Sequence, residues 1–387
     1  MKRINPLFTL LVLALILRLI FLFPQYSGDV KNHFVWGNSF IQSPTGFFSR
    51  HFPGFNDANY PPLAIFLFSL SNLLLIWFNQ FLLFLNRSFS FFPSFLVPLF
   101  DHENMRYGFL KLPGILADLG IGYLIYKFTS NRHSRAGGNP SQLSIILSSL
   151  YLFNPAVIYL SSVWGQIEPI TNFFLIFSLY LAIFPKTQKE AVYSLVLFTL
   201  AALTKQTALW FTPFYLLMWF KNIPYKSLLS GAICSLLIFF ACYLPFSLLP
   251  LSAIKSYFVT LSGSSSGVSD AAWNFWSFIY PSGAEDSIKL GLFSVRNISI
   301  FLLVSILTFF FYKLSRKYSL NSFLKYLFIW SLAVFFLQTR VHERHLAPAL
   351  VFGLLAFSES PTWWLGYLSL SLFHFLNLFL TLKIPFI

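Results

Sequence analysis

Several short stretches of this chain set ionisable or hydrogen-bonding side chains between apolar runs. Asp29 follows directly on the first apolar segment, with His33 one helical turn on, Trp36 beyond it and Tyr60 at the end of the same polar, aromatic stretch. A carboxylate at the lip of a membrane span can accept a proton and orient a hydroxyl; the plainer reading is a cap on a helix that begins near Val30. Trp164, Gln166 and Glu168 interrupt two apolar runs, and Pro169 suits the first turn of the helix that follows. Lys205-Gln206 is a cation between two short apolar segments, either snorkelling or binding an anion. Arg340-Val341-His342-Glu343-Arg344-His345 packs charges and imidazoles into a break between helices. Arg binds phosphate oxygens in pairs and His donates from a ring nitrogen, so this cluster suits a phosphate or diphosphate. Trp273-Asn274-Phe275-Trp276 is either part of an aromatic belt or a platform on which a sugar stacks.

What must position these groups is a membrane-embedded helical frame. The 387 residues are 57% hydrophobic and 20% aromatic but only 10% charged, too apolar for one soluble core. Segment 7–23 has an arginine, Arg18, and no small-residue cleavage site after it, so it reads as a first membrane helix and not as a signal peptide. Basic residues outnumber acidic ones by 26 to 12, giving a net charge of +14, and they gather in short loops. That pattern fits cytoplasmic loops facing anionic lipid, not nucleic acid. Cys234 and Cys242 share one apolar run. At 1.5 Å per residue they lie about 12 Å apart along a helix, beyond disulfide reach.

Apolar runs at 63–100, 107–128, 143–160, 170–184, 191–203, 207–220, 227–246, 298–312, 326–338, 345–357 and 363–380 predict an all-α, polytopic protein. Counting each as a span predicts about 11 to 13 crossings, with 63–100 forming two helices or a re-entrant pair. Asp118 falls mid-helix and should point inward, to a cation or to a backbone break. The expected arrangement is a single domain over 1–387. It has a large first outer loop at 24–62, a flexible cytoplasmic loop at 129–142 and a further outer loop at 248–297. Placing the basic connections inside puts Asp29, the 164–168 stretch, Lys205-Gln206, the tryptophan motif and the 340–345 cluster together outside.

One carboxylate and a group of cations beside wide apolar surface suit transfer of a sugar from a lipid phosphate. A departing alcohol needs an acid to protonate it, whereas a departing phosphate needs only charge stabilisation. Asp29 would be the base. His342, Arg344, Arg340 and Lys205 would hold the phosphate. His33, Trp36, Tyr60, Trp164, Gln166, Glu168, Gln206, Trp273, Asn274, Trp276 and Glu343 would line the sugar and acceptor.

Taken in order, Gly28-Asp29, Asn59-Tyr60-Pro61-Pro62, the break at 164–168, Lys205-Gln206 and Val341-His342-Glu343-Arg344 resemble the motifs of the membrane-embedded GT-C glycosyltransferases. The likeness is to the dolichyl-phosphate-glucose-dependent glucosyltransferases and their bacterial relatives, and it spans residues 1 to about 345. It implies an inverting hexosyltransferase that uses a polyprenyl-phosphate sugar. Asp29 matches the family's first-loop acid and His342 its donor-phosphate histidine. Lys31 stands where the family often has a second acid, and Arg344 replaces a lysine. The chain is short for the eukaryotic enzymes, which points to a bacterial plasma membrane with the site on its outer face.

The expected partners are the polyprenyl-phosphate donor, a lipid-linked or surface glycan acceptor and membrane lipids, with no nucleic acid. No cofactor is expected, since there is no Cys or His pair at ligand spacing; a divalent cation between Asp29 and the donor phosphate stays open. The rival readings are a lipid-linked glycan transporter or flippase, for which internal repeats would speak, and a protein O-glycosyltransferase.

Overall fold

The computed structural model describes residues 5–135, 141–262, 266–357 and 362–386. The helices run α1 (Pro6–Ile20), α2 (Gly28–Gln42), α3 (Pro62–Ser88), α4 (Leu96–Leu99), α5 (Glu103–Arg135), α6 (Ser141–Leu152), α7 (Pro155–Ile158) and α8 (Glu168–Ile183). They continue with α9 (Gln188–Thr204), α10 (Thr212–Asn222), α11 (Tyr225–Tyr243), α12 (Pro250–Ser262), α13 (Val295–Arg316), α14 (Leu320–Leu337), α15 (Ala347–Phe357) and α16 (Trp363–Leu382). One small antiparallel hairpin pairs β1 (Lys289–Leu290) with β2 (Phe293–Ser294).

Among the described residues six helices are long and apolar enough to cross a membrane, namely α3, α5, α11, α13, α14 and α16. The bent run through α6 and α7 makes up to seven if it is one span. The chain is therefore a predominantly helical protein with the makings of a multi-pass membrane protein. The count is lower than the number of apolar runs because α1, α8, α9, α10 and α15 have 15, 16, 17, 11 and 11 residues, short of the roughly 20 that a bilayer core requires.

Three expected loops contain regular structure. The 24–62 stretch carries α2, and 248–297 carries α12 and the hairpin. At 129–142, α5 continues to Arg135 and α6 starts at Ser141; residues 136–140 lie outside the described ones.

The chain clusters into two compact units interleaved in sequence. The first, here the His342 unit, comprises Met1–Leu11, Gly122–Tyr159 and Ser264–Lys383; the second, the Asp29 unit, comprises Val12–Ile121, Leu160–Gly263 and Ile384–Ile387.

In the Asp29 unit α2 lies against α3 because Gly37 admits it. A Cβ there would stand 2.8 Å from the Phe68 carbonyl carbon. Ser69 Oγ donates to Gly37 O at 3.1 Å and Asn72 Nδ2 to Phe34 O at 2.9 Å, which fixes the register. The α8–α9 pair is joined by Ser178 and Ser194, each hydroxyl donating to the other's carbonyl at 2.6 and 2.8 Å. Small polar residues let helix backbones approach in this way.

The 63–100 region is an out-and-back excursion with one long helix, not two. After α3 the chain returns along it, with Phe78 against Phe100 and Phe109. Asn104 at the start of α5 then donates to Pro24 O at 3.0 Å, so α5 begins beside the α1–α2 connection. There Tyr26 donates to Glu103, and that bond, with burial, raises the phenol to about 12.

In the His342 unit α14 packs on α13 and α15. Asn154 joins the α6–α7 bend to α16, donating to Tyr367 Oη at 3.1 Å and accepting from Ser371 Oγ at 2.9 Å.

Asp118 meets a cation. Arg18 Nε lies 3.4 Å from Asp118 Oδ2, both side chains are fully buried, and Arg18 Nη1 donates to Ala14 O at 3.2 Å. Removing one member of such a pair strands a charge, at a cost of about 3–5 kcal/mol, whereas an apolar pair of similar volume is close to neutral. Asp118→Ala should therefore sharply lower the thermal midpoint of the detergent-solubilised protein. Arg18→Met combined with Asp118→Leu should recover most of the loss.

Candidate functional site

The Asp29 site is built where α2 starts. Ser27 caps the helix, accepting from Val30 N at 3.4 Å and donating to Trp164 O at 2.9 Å. Asp29 is thereby placed in the first turn, where the helix dipole favours negative charge. It is not the cap that the plainer reading made it. Trp164 Nε1 donates to Asp29 Oδ2 at 3.1 Å, and Gln166 Nε2 donates to the same oxygen. Asp29 is half-buried, while Trp164 and Gln166 are buried. Two neutral donors on one oxygen set the plane of the carboxylate.

The donors reach Asp29 because the chain leaves α7 through a wide π-type turn, Tyr159–Trp164. Gly165 N and Gln166 N both donate to Leu160 O, and Gly165 has a φ of 80°. A Cβ on Gly165 would lie 2.6 Å from Val30 Cγ2, so only glycine lets the turn approach α2 this closely. Lys111 secures both sides: its Nζ donates to Leu22 O and Ser162 O at 2.9 Å each and also to Gln25 O. Lys111 was not singled out from sequence. A lysine inside the apolar run 107–128, two residues before Pro113, was the available signal.

Other expected residues of this unit are committed elsewhere. Lys205, taken as a phosphate ligand, forms a buried ion pair with Glu168, and its ammonium lies 5.3 Å from the Tyr60 ring centroid. This Lys205–Glu168 pair answers the cost of burying either charge alone. It gives Lys205 and Glu168 a bracing contact with each other that the sequence reading did not include. His33 is buried and stacked flat on Phe68 with centroids 4.1 Å apart, so it packs the α2–α3 contact. Trp36 is buried with Nε1 donating to Asn56 O at 2.8 Å, and Gln206 Nε2 reaches Asn59 O at 3.4 Å. An apolar cavity of about 590 Å³ in the same unit is lined by α9, α10 and α11, including Phe198, Trp219, Leu229 and Phe239.

The tryptophan motif of the His342 unit ends a helix. The last carbonyls of α14 have no partner within the helix. Phe275 N donates to Phe336 O at 3.0 Å, Trp276 Nε1 to Leu337 O at 2.6 Å and Asn274 Nδ2 to Gln338 O at 3.2 Å. Asn274 and Trp276 are buried and so are removed from any sugar platform. Trp273, half-buried, packs on Phe373 while its backbone N–H donates to Asn377 Oδ1 at 3.0 Å.

Beyond α14 the chain turns sharply, with Arg340 at a φ of 62°. Arg340 is not a spare phosphate ligand: its Nε and Nη2 hold both oxygens of Asp286 at 2.8 and 3.1 Å, and Thr339 Oγ1 adds a third bond at 3.0 Å. Glu343 is buried against Arg344 at 2.9 Å, which takes it out of the acceptor set. His342 and His345 cap one another's backbone, the His342 ring accepting from His345 N and His345 Nδ1 from His342 N. The Nε2 of His342 lies 3.7 Å from Asp270 Oδ2.

Asp270 is carried by a strained turn. Ala271 has a φ of 61°, and Asn377 Nδ2 holds its carbonyl at 2.9 Å. Neither Asp270 nor Asp286 was read from sequence, although each is one of only 12 acids in the chain. Among the described residues no three of His, Cys, Asp and Glu gather as a metal site.

In one unit the structure brings Asp29 together with Trp164 and Gln166, and in the other His342 with Asp270 and Arg344 with Glu343. No family model matches the chain, and no curated protein matches it in sequence.

Burial pushes the Asp286 carboxyl up, but bonds from Arg340 and Thr339 and the charges of Arg340 and Arg296 outweigh it, leaving it below its ordinary value of 3.8. The folded state then binds fewer protons than the unfolded one. The stabilisation is present above that ordinary value and lost as pH falls through the lower folded value. Asp286→Asn should cost about 1–3 kcal/mol at neutral pH. The unfolding midpoints of variant and parent should stay apart down to the ordinary carboxylate range and converge only below it.

Proposed function

We propose that the chain is an integral-membrane glycosyltransferase of the GT-C type. It would move a hexose, with inversion, from a polyprenyl-phosphate donor to a lipid-linked or surface glycan acceptor on the outer face of a bacterial plasma membrane. The observation that carries this reading is the half-buried Asp29 carboxylate, held in the first turn of α2 by Trp164 and Gln166. Charge is expensive at the edge of an apolar bundle, and the other buried acids named above sit against cations. Two neutral donors on its Oδ2 hold the Asp29 carboxylate in a fixed orientation, the arrangement suited to a base.

In this reading Asp29 takes the proton of the acceptor hydroxyl as its oxygen attacks the anomeric carbon. The carbon–oxygen bond to the phosphate breaks on the opposite face, and polyprenyl phosphate leaves with the bonding electrons. His342, which belongs to the other unit, has a ring nitrogen of the kind that stabilises phosphate charge by donation. The apolar cavity beside α9 and α11 suits part of a polyprenyl chain.

The test is purified protein in lipid with radiolabelled polyprenyl-phosphate hexoses and a membrane lipid extract. Label should move to a glycan product. Asp29→Asn should lower kcat by about 10²–10⁴ with donor KM little changed, since general-base catalysis contributes on that scale. His342→Ala should chiefly raise donor KM. Parent protein that forms no labelled product, or that carries the donor across the bilayer unchanged, would sink the proposal.

A further inference from the structure

The β1–β2 hairpin exposes what a soluble protein would hide. Gly291, at a φ of 68°, opens a two-residue turn whose second residue is Leu292, and Leu292 is 90% exposed. Ile288, Leu290 and Phe293 are also exposed, with only Lys289 among them charged. Such turns normally favour polar residues, and contiguous exposed apolar surface marks a partner.

The surroundings say which partner. The hairpin is bonded to the first turn of α13, with Val295 N donating to Ile288 O at 2.9 Å and Arg296 N to Asp286 O at 3.0 Å. Helix α13 is itself one of the helices apolar enough to cross a membrane, and Ile300, Phe301 and Val304 continue the exposed apolar surface along it. The tip lies two residues beyond the Ser294 cap, about 7 Å at strand rise. It therefore lies close to the end of α13, one of the helices apolar enough to cross a membrane. Phe278, 76% exposed, and Ile279 follow Trp276, which packs in one cluster with Val295 at the same helix end. Lys289 and Arg296 are exposed beside the apolar tip, the pairing that suits lipid phosphates above acyl chains.

We propose that residues 288–293, with Phe278 and Ile279, form a membrane-dipping anchor seated at the headgroup and acyl-chain boundary of the leaflet where α13 begins. Asp286 at the base of the hairpin is bonded to Thr339 and Arg340, so the anchor also fixes the depth of the loop that carries His342. The anchor stands independently of the glycosyltransferase reading.

The test uses full-length protein with Cys234→Ser, Cys242→Ser and Leu292→Cys, labelled with an environment-sensitive fluorophore and reconstituted into phosphatidylglycerol–phosphatidylethanolamine vesicles. Leu292 makes little internal contact, so its replacement leaves folding intact. Doxyl groups near the glycerol backbone of the lipid should quench the label strongly, and aqueous iodide should quench it little. Strong iodide quenching without doxyl quenching would place the tip in water and overturn the proposal. Protection from both quenchers would overturn it too, in favour of cover by protein.

Discussion

An ion without a partner is not tolerated inside an apolar bundle, and that constraint organises this molecule. Arg18 holds Asp118 and Lys205 holds Glu168, both pairs buried. Lys111, with no acid beside it among its bonded partners, spreads its charge over three carbonyls. Each solution ties together chain segments far apart in sequence. The polar groups that cost most to bury are thus the ones that specify how the apolar helices meet.

The same constraint separates structural from chemical groups. From sequence, Lys205, Glu168, Arg340 and Glu343 all resembled binding residues, because charge between apolar runs is what a site and a brace have in common. Only coordinates distinguish them, since the partner of Lys205 lies 37 positions away and that of Arg340 54 positions away. Asp29 differs in what donates to its Oδ2, an indole and an amide, both uncharged.

Much of the fold was legible. Apolar runs at 170–184, 191–203, 227–246 and 363–380 fall on α8, α9, α11 and α16 nearly residue for residue, because helix periodicity and polar breaks are local signals. Helix α2 was seen only as a capping alternative, and α12 was missed, since each is less uniformly apolar than its neighbours. The tryptophan motif was misread for a different reason. Indole and amide donors serve a sugar and a helix end equally well, and which one they meet depends on Gln338, 64 positions from Asn274. Asp270 and Asp286 passed unnoticed because an isolated acid in a polar loop carries no local signature.

The Lys111 clamp also limits how the Asp29 site can open. With its ammonium bonded to carbonyls on both the approach to α2 and the π-type turn, neither stretch of main chain can swing without breaking that three-way tie. Adjustment to an incoming molecule is left to torsions of the Trp164 indole and the Gln166 amide. Motion around Asp29 should therefore show in side-chain torsions while the main chain stays still.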